Sequence, residues 1–238
     1  MMDRVKEYCD KWRLEVNVSK TKVMVVSKDG MERATVKYGS GVLECVDRYP
    51  YLGTLFSADG KWELEVNRRI QAGRGALSKL SKKVVWNRNI SMKVKKVLFE
   101  AMVKSRLMYG GDVWWPNKKE VGRLETMQND FIRWLSGVSR KDRISVSGLR
   151  KEVGIGSIED SLCCKRLQWL GRLTRMVGNR LVSRVWGAQC EGKRAKGRPR
   201  WIYAKQEAED LARGSLGRLD ALDKVKWKAA IKAINGPL

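Results

Sequence analysis

The sequence predicts an α+β fold that is mostly α-helical, with a small antiparallel sheet near the N-terminus. Short β-branched runs separated by turn residues occupy the chain up to about residue 60. From Lys61 onward, apolar residues recur every three or four positions, with few prolines between them. We therefore divide the chain into a sheet segment, a helical bundle, a basic linker and a helical tail. These segments cover residues 1–60, 61–189, 190–200 and 201–238.

The sheet segment is predicted to begin with a helix over residues 3–13, because Val5, Tyr8, Cys9 and Trp12 have the spacing of one helical face. Short strands should follow. Two of them should pair as a hairpin, since two glycines and a serine separate their β-branched runs. The predicted strands cover residues 22–27, 34–38, 42–46 and 51–56.

The bundle is predicted to contain five helices. Ser91 and Ser157 are suitable N-caps for the second and the fifth. Trp134 and Trp169 fall on apolar faces, which predicts that both are core residues. Basic side chains should occupy the remaining surface of the first helix. The five helices are expected at about residues 61–84, 91–109, 118–135, 146–153 and 157–173.

The charge of the chain points to an anionic partner. Fifty Lys and Arg residues against 26 Asp and Glu give a net charge of +24, which repels itself unless an anion is bound. Nucleic acid is favoured over a membrane surface, because the basic residues are spread along the chain. No apolar run approaches the roughly 18 residues of a membrane span, and no signal peptide is evident. We therefore expect an intracellular protein, in the cytoplasm or the nucleus.

Cysteine and histidine usage limits the chemistry. The five cysteines are odd in number and lack Cys-x-x-Cys spacing, which favours reduced thiols over disulfides or a zinc site. Histidine is absent, so Ser-His-Asp and Cys-His nucleophilic schemes are excluded. We predict no metal site in this chain.

Five short motifs follow one another in a fixed order. They are Asn17-x-x-Lys20-Thr21, Tyr51-Leu52-Gly53, Leu107-Met108-Tyr109-Gly110-Gly111-Asp112-Val113-Trp114, Trp169-Leu170-Gly171-Arg172-x-x-Arg175-Met176 and Gly197-Arg198-Pro199-Arg200-Trp201. Together they resemble the late palm, the thumb and the following region of non-LTR (LINE-type) retrotransposon reverse transcriptases. Asp112 stands where that family usually has Glu, and Arg172 where it usually has His. The resemblance implies that the sheet segment is a partial palm and that the bundle begins with a thumb.

The resemblance also implies an RNA-directed DNA polymerase family, whose chemistry needs paired aspartates that hold two Mg²⁺ ions. No Asp-Asp pair occurs in the sequence, so we expect no catalytic residue, no bound cofactor and no polymerase activity in this chain alone. Mg²⁺ is expected only in a complete polymerase that includes the missing core. Lys20 matches an assisting lysine near the incoming nucleotide, useful only with an external metal site. Otherwise Lys20 is a phosphate contact or a surface lysine in a turn.

The nucleic-acid partner implied by the resemblance is RNA and DNA, as an RNA–DNA or RNA duplex. Tyr51, Leu52 and Gly53 match the primer grip; the alternative is a packed hairpin. Arginines of the first bundle helix would face the duplex backbone, or else form a solvated face. Trp201 would stack on a base, or else anchor the tail helix. The predicted contact residues are Lys20, Tyr51, Leu52, Gly53, Arg68, Arg69, Arg74, Arg194, Arg198, Arg200 and Trp201.

Three other functions remain open from the sequence. The chain could be one part of an active reverse transcriptase that another chain completes. It could be a degenerate copy of an element without a function, which the changes at Asp112 and Arg172 mildly favour. It could also be a basic helical scaffold, although that explains the charge and not the ordered motifs. The oligomeric state is left open.

Overall fold

The computed structural model describes residues 2–27, 30, 32–80, 84, 87, 89–176, 178–188 and 203–234. Its residues group into two compact units, 1–69 and 70–238, which are treated separately below. Small sheets lie near the N-terminus and helices make up most of the rest, which confirms the predicted α+β, mostly α class.

The first unit contains one helix and two small sheets. Strands β1, β3 and β2 form a three-stranded sheet in that order, with β1 parallel and β2 antiparallel to β3, whereas β4 and β5 pair separately as an antiparallel hairpin. Its elements are α1 (Met2–Trp12), β1 (Lys22–Val23), β2 (Val36–Tyr38), β3 (Gly41–Cys45), β4 (Arg48–Tyr51) and β5 (Thr54–Ser57).

The predicted hairpin around Gly39 is present, with Val36 opposite Leu43, but other expectations for this unit are wrong. The strand expected at 22–27 has only two paired residues, and a turn divides the one expected at 51–56. The inward face predicted for α1 is also wrong, because Tyr8 and Trp12 are each 59% exposed and only Cys9 is buried. The short sheet gives this helix little surface to pack against.

The second unit is helical, and helix α2 crosses the boundary between the two units. A π-helical segment, Glu100–Lys104, follows α3, and short 3₁₀ segments precede α6 and α10. The helices are α2 (Glu63–Leu80), α3 (Met92–Phe99), α4 (Ser105–Leu107), α5 (Lys118–Leu135), α6 (Val146–Val153), α7 (Ile158–Thr174), α8 (Leu181–Gly187), α9 (Tyr203–Arg213) and α10 (Lys224–Ile234).

Polar caps fix several helix starts where the sequence predicted them. The Ser157 hydroxyl accepts a hydrogen bond from the backbone N–H of Asp160 at 2.9 Å, and the Ser91 hydroxyl caps α3. Asn117 and Glu120 form a reciprocal capping box at the start of α5, which satisfies two otherwise unpaired N–H groups. The helix expected at about 91–109 is present but contains the π-helical segment.

The core of the second unit lies among α3, α5, α7 and α10. Phe99 and Phe131 stack with ring centroids 3.9 Å apart. Trp114, the last residue of the third sequence motif, is fully buried and donates from Nε1 to the Tyr109 carbonyl at 2.8 Å. Trp134 is 43% exposed, so its assignment to the core is wrong, whereas Trp169 is half-buried.

No helix among the described residues combines the length and apolar character needed to cross a membrane.

Candidate nucleic-acid interface

The turn between β4 and β5 has an unusual backbone. Tyr51 pairs with Thr54 across it, leaving Leu52 and Gly53 as the two turn residues. Their φ angles are 46° and 80°, so both lie in the left-handed region that matches the twist of a two-residue hairpin. Glycine adopts this region freely, but a leucine there is uncommon. The Leu52 side chain is also 76% exposed, so the turn presents an apolar tip.

Two side chains of α2 hold this turn from behind. Glu65 is fully buried, and its Oε2 accepts a hydrogen bond from the backbone N–H of Leu55 at 2.9 Å. Its Oε1 accepts from Nε of Arg69, and Nη2 of Arg69 donates to the carbonyl of Gly53. We call these two residues the Glu65–Arg69 pair. The pair ties both sides of the turn to one helix.

The expected place of Arg69 on the helix surface is wrong. The residue is only 8% exposed, because the buried carboxylate of Glu65 and the Gly53 carbonyl draw its guanidinium inward. Arg69 is therefore a positioning residue, which holds the turn in place. A buried guanidinium paired in this way satisfies the carboxylate, whose burial alone would be unfavourable.

Arg68 remains available beside the turn. Its side chain is 48% exposed, and Nη1 donates a hydrogen bond to the Gly53 carbonyl at 3.3 Å. Its Nη1 lies 3.7 Å from the Glu65 carboxylate, a long and weak ion pair, and about half of the side chain faces solvent. A fork of N–H donors held in this way can make a bidentate contact with a phosphate.

Aromatic rings continue from the turn along the hairpin. Tyr51 is 59% exposed, and its ring meets Phe56 edge-on with centroids 6.5 Å apart. Phe56 in turn meets Trp62 edge-on at 5.6 Å. Tyr49 lies on the same strand and is 36% exposed, so both tyrosines are only partly packed, which is compatible with the primer grip and with the packed hairpin. The exposed ring of Tyr51 offers a flat surface and a phenol hydroxyl to a ligand.

The Asn17 motif has a structural explanation. The side-chain Oδ1 of Asn17 accepts a hydrogen bond from the Lys20 backbone N–H at 3.0 Å. The Asn17 backbone carbonyl accepts one from the Thr21 hydroxyl at 2.8 Å. Asparagine and threonine thus build a side-chain-stabilised turn. Lys20 projects from it exposed, and its ammonium has no partner among the described residues.

The other predicted contact residues include Arg74 and the residues in and just after the basic linker. Arg74 is exposed on α2 within the second unit. Arg194, Arg198, Arg200 and Trp201, together with the basic linker, lie outside the described residues. The structure therefore groups Tyr51, Leu52, Gly53, Arg68 and Arg69 in one place, all in the first unit.

Sequence reasoning missed Glu65. Its spacing of four residues from Arg69 is a recognisable helix pair, but pairs of this kind are usually solvated and weak. Only the burial of Glu65 distinguishes it, and burial depends on the hairpin that folds over it. The signal available in the sequence was Glu65 itself, an acid one turn before Arg69 near the start of a mostly cationic helix.

No group of three or more potential metal-ligating side chains occurs in the part of the chain that the structure describes. The cysteines there are all free thiols. Burial raises the pKa of the Cys163 thiol, and raises that of Cys164 to about 11, so both are protonated at neutral pH.

The fold and the turn together define a strongly basic, mostly helical α+β protein with an exposed turn anchored on a helix. The chain is 26% identical over 253 aligned positions to a curated Caenorhabditis elegans protein described as an uncharacterized transposon-derived protein. That alignment covers 98% of this chain and 88% of the other protein. No protein-family profile matches the chain, and no solved structure matches it. The similarity supports a transposon origin for the chain.

Proposed function

We propose that this chain is the nucleic-acid-binding part of a non-LTR retrotransposon reverse transcriptase, and that it holds an RNA–DNA or RNA duplex by its phosphates. The observation that carries the proposal is the turn at Leu52 and Gly53, which projects an apolar tip beside the exposed Arg68 while the Glu65–Arg69 pair fixes it. The transposon similarity and the net charge of +24 support the same function.

The geometry suits contacts with a backbone better than contacts with bases. Arg68 supplies a charged fork for a phosphate, and Leu52 supplies an apolar surface for a sugar. A turn that is already fixed loses little conformational entropy on binding, so little of the binding free energy of its contacts is lost to ordering the chain. The Gly53 carbonyl accepts hydrogen bonds from both Arg68 and Arg69, so this oxygen is not left as an unpaired acceptor beside a phosphate.

The test is fluorescence anisotropy with a labelled RNA–DNA duplex at several salt concentrations. Arg68→Ala should weaken binding at least about tenfold, since a hydrogen bond to a charged group contributes about 1.5–3 kcal/mol. The log–log salt slope should also become shallower by about 0.7–0.9, the value for one phosphate contact. Arg4→Ala is the control, because Arg4 is an exposed arginine in the same unit, on α1. Equal behaviour of the two variants would contradict the proposed interface.

The proposal gives this chain no catalysis by itself. The sequence has no Asp-Asp pair to hold the two metal ions of polymerisation. A primer-extension assay with Mg²⁺ and a primed RNA template should therefore show no product with the purified chain. Extension by the chain alone would overturn this assignment. Extension only after a candidate polymerase core is added would support completion by another chain.

A further inference from the structure

A cleft of about 620 Å³ lies in the second unit between the C-terminal end of α7 and α10. Its walls carry five cationic side chains, and no Asp or Glu is among its lining residues. We call it the basic cleft. Its polar lining residues are Gln168, Arg172, Arg175, Arg180, Lys224 and Lys228.

Packing between two helices builds the basic cleft. Trp227 of α10 is 2% exposed and donates from Nε1 to the Leu167 carbonyl of α7 at 3.0 Å. Gly171 makes this approach possible: a Cβ there would lie 2.8 Å from Cδ1 of the indole and closer still to Nε1. The two helices therefore meet at a glycine, and the residues one turn away on each helix face the same space.

Three arginines elsewhere in the second unit, Arg166, Arg213 and Arg218, are paired with acids. Arg166 on α7 forms two hydrogen bonds with the Asp210 carboxylate, at 2.6 and 2.7 Å. Arg213 lies 2.9 Å from Asp160 and Arg218 lies 2.6 Å from Glu207. Arginines that hold the fold together are thus paired with acids.

The five cleft cations have no such acidic partner within the described ranges. Arg175 donates to the Ala221 carbonyl, which fixes its position but leaves its charge uncompensated. The other four are exposed, and their side chains make neither a hydrogen bond nor an ion pair in the described part of the chain. They are Arg172, Arg180, Lys224 and Lys228. Like charges that converge without acids repel one another, and a bound polyanion removes that repulsion.

We propose that the basic cleft is a second phosphate-binding site, which holds neighbouring phosphates of a nucleic-acid strand. The inference rests on the proposed function, because it takes the ligand to be nucleic acid. Long flexible cations surround the cleft, and Gln168 is the one uncharged polar side chain among its lining residues. Such a lining binds phosphodiesters without reading bases.

The test compares three variants of the full chain in duplex binding. Arg172→Gln/Lys228→Gln removes two cleft charges while keeping an unbranched polar side chain at each position. Arg184→Gln/Lys232→Gln removes two charges from exposed positions on α8 and α10 that do not line the cleft. Arg68→Ala tests the turn of the first unit.

Loss of two phosphate contacts should make the log–log salt slope of the cleft variant shallower by about 1.4–1.8. The control double variant should change it by less than half of that. If Arg68→Ala weakens binding and the cleft variant matches its control, the cleft inference is overturned and the proposed function stands. If neither Arg68→Ala nor the cleft variant differs from its control, both fail.

Thermal unfolding without nucleic acid separates a binding effect of the cleft substitutions from damage to the fold. The cleft variant should melt at the same temperature as the wild type or higher at low salt, because its substitutions relieve repulsion. A Tm of the cleft variant below that of the wild type would contradict the claim that the cleft cations repel one another.

Titration with inorganic pyrophosphate distinguishes a free small anion from a strand as the ligand of the cleft. A strand site should bind the duplex more tightly than pyrophosphate. The assignment to nucleic acid would be overturned if pyrophosphate bound the wild type more tightly than the duplex does and the cleft variant lost this pyrophosphate binding.

Discussion

Leu52 is a leucine in a backbone region that glycine and asparagine normally occupy. Its φ of 46° places Cβ near the following carbonyl, an arrangement that costs about 1–2 kcal/mol for an L-residue. The fold keeps this strained residue at an exposed position, where its side chain gains little from burial. Strain of this kind is common where a side chain must be presented to a ligand.

Leu52→Asn should raise stability and lower affinity together. Asparagine tolerates the left-handed region, so we expect the free energy of unfolding to increase by about 0.5–1 kcal/mol in urea denaturation. Affinity for the RNA–DNA duplex should fall, because the apolar tip is lost. A decrease in stability would mean that Leu52 packs in a way that the turn geometry does not indicate.

Glu65 is the residue on which the turn depends most. Glu65→Ala removes the acceptor for the Leu55 N–H and leaves Arg69 buried without its carboxylate, so the variant should lose about 3–5 kcal/mol of stability. Glu7→Ala removes an exposed acid on α1 and should change stability by less than about 0.5 kcal/mol. Urea denaturation followed by circular dichroism measures both. Similar values for the two variants would refute a turn held by the Glu65–Arg69 pair.

The adjacent thiols of α7 should be unreactive in the folded protein. Burial raises the pKa of Cys164 to about 11, so roughly one thiol in a thousand is thiolate at pH 8. Iodoacetamide should modify the half-buried Cys45 well before Cys163 and Cys164, as peptide mass mapping would show. Rapid labelling of Cys164 without unfolding would contradict the packing of α7 against α10.

At the scale of elements, two helix glycines should respond to alanine in opposite ways. Gly171 of α7 contacts the Trp227 ring, so Gly171→Ala overpacks the site and should cost about 1–3 kcal/mol. A Cβ at Gly122 of α5 would have no neighbouring atom within 4 Å, so Gly122→Ala should stabilise by about 0.5–1 kcal/mol through helix propensity. Thermal unfolding of the pair tests the α7–α10 contact directly. The same sign of change in both variants would contradict it.

Helices were predictable because each carries two signals that agree. Lys118–Leu135 has the predicted bounds, since apolar periodicity and the Asn117 capping box mark it together, and Val146–Val153 also has them, although its N-cap Ser145 makes no side-chain cap hydrogen bond. Strands carry weaker signals. The split of residues 51–56 into a turn and a strand depends on a leucine with positive φ, and leucine gives no warning of that conformation.

The candidate site was predictable in its position and only partly in its chemistry. The motif at Tyr51, Leu52 and Gly53 located the turn, but Arg69 was expected on the surface and is buried. Its burial comes from Glu65 and the hairpin, which are tertiary effects that helical periodicity does not carry. Trp134 shows the converse, since its helical spacing predicted the core, yet it is 43% exposed although its neighbours Ile132 and Leu135 are buried.

At the scale of the whole molecule, the net charge of +24 is the property that most needs a physical reason. The acids that the structure does contain are largely used within the fold, as in the pairs of Arg166 with Asp210 and Arg150 with Glu125. Solvent-facing cations are grouped around the basic cleft in the second unit, and Arg68, whose ion pair with Glu65 is long at 3.7 Å, lies beside the turn in the first. Two phosphate-binding surfaces explain these grouped cations better than a scaffold whose positive charge has no function.

The salt dependence of duplex binding by the complete wild-type chain tests the proposed phosphate grip most directly. With about eight phosphate contacts, the slope of log affinity against log salt concentration should be near −6 to −7, because each contact releases a condensed counterion. Affinity that does not change between low and physiological salt would contradict it.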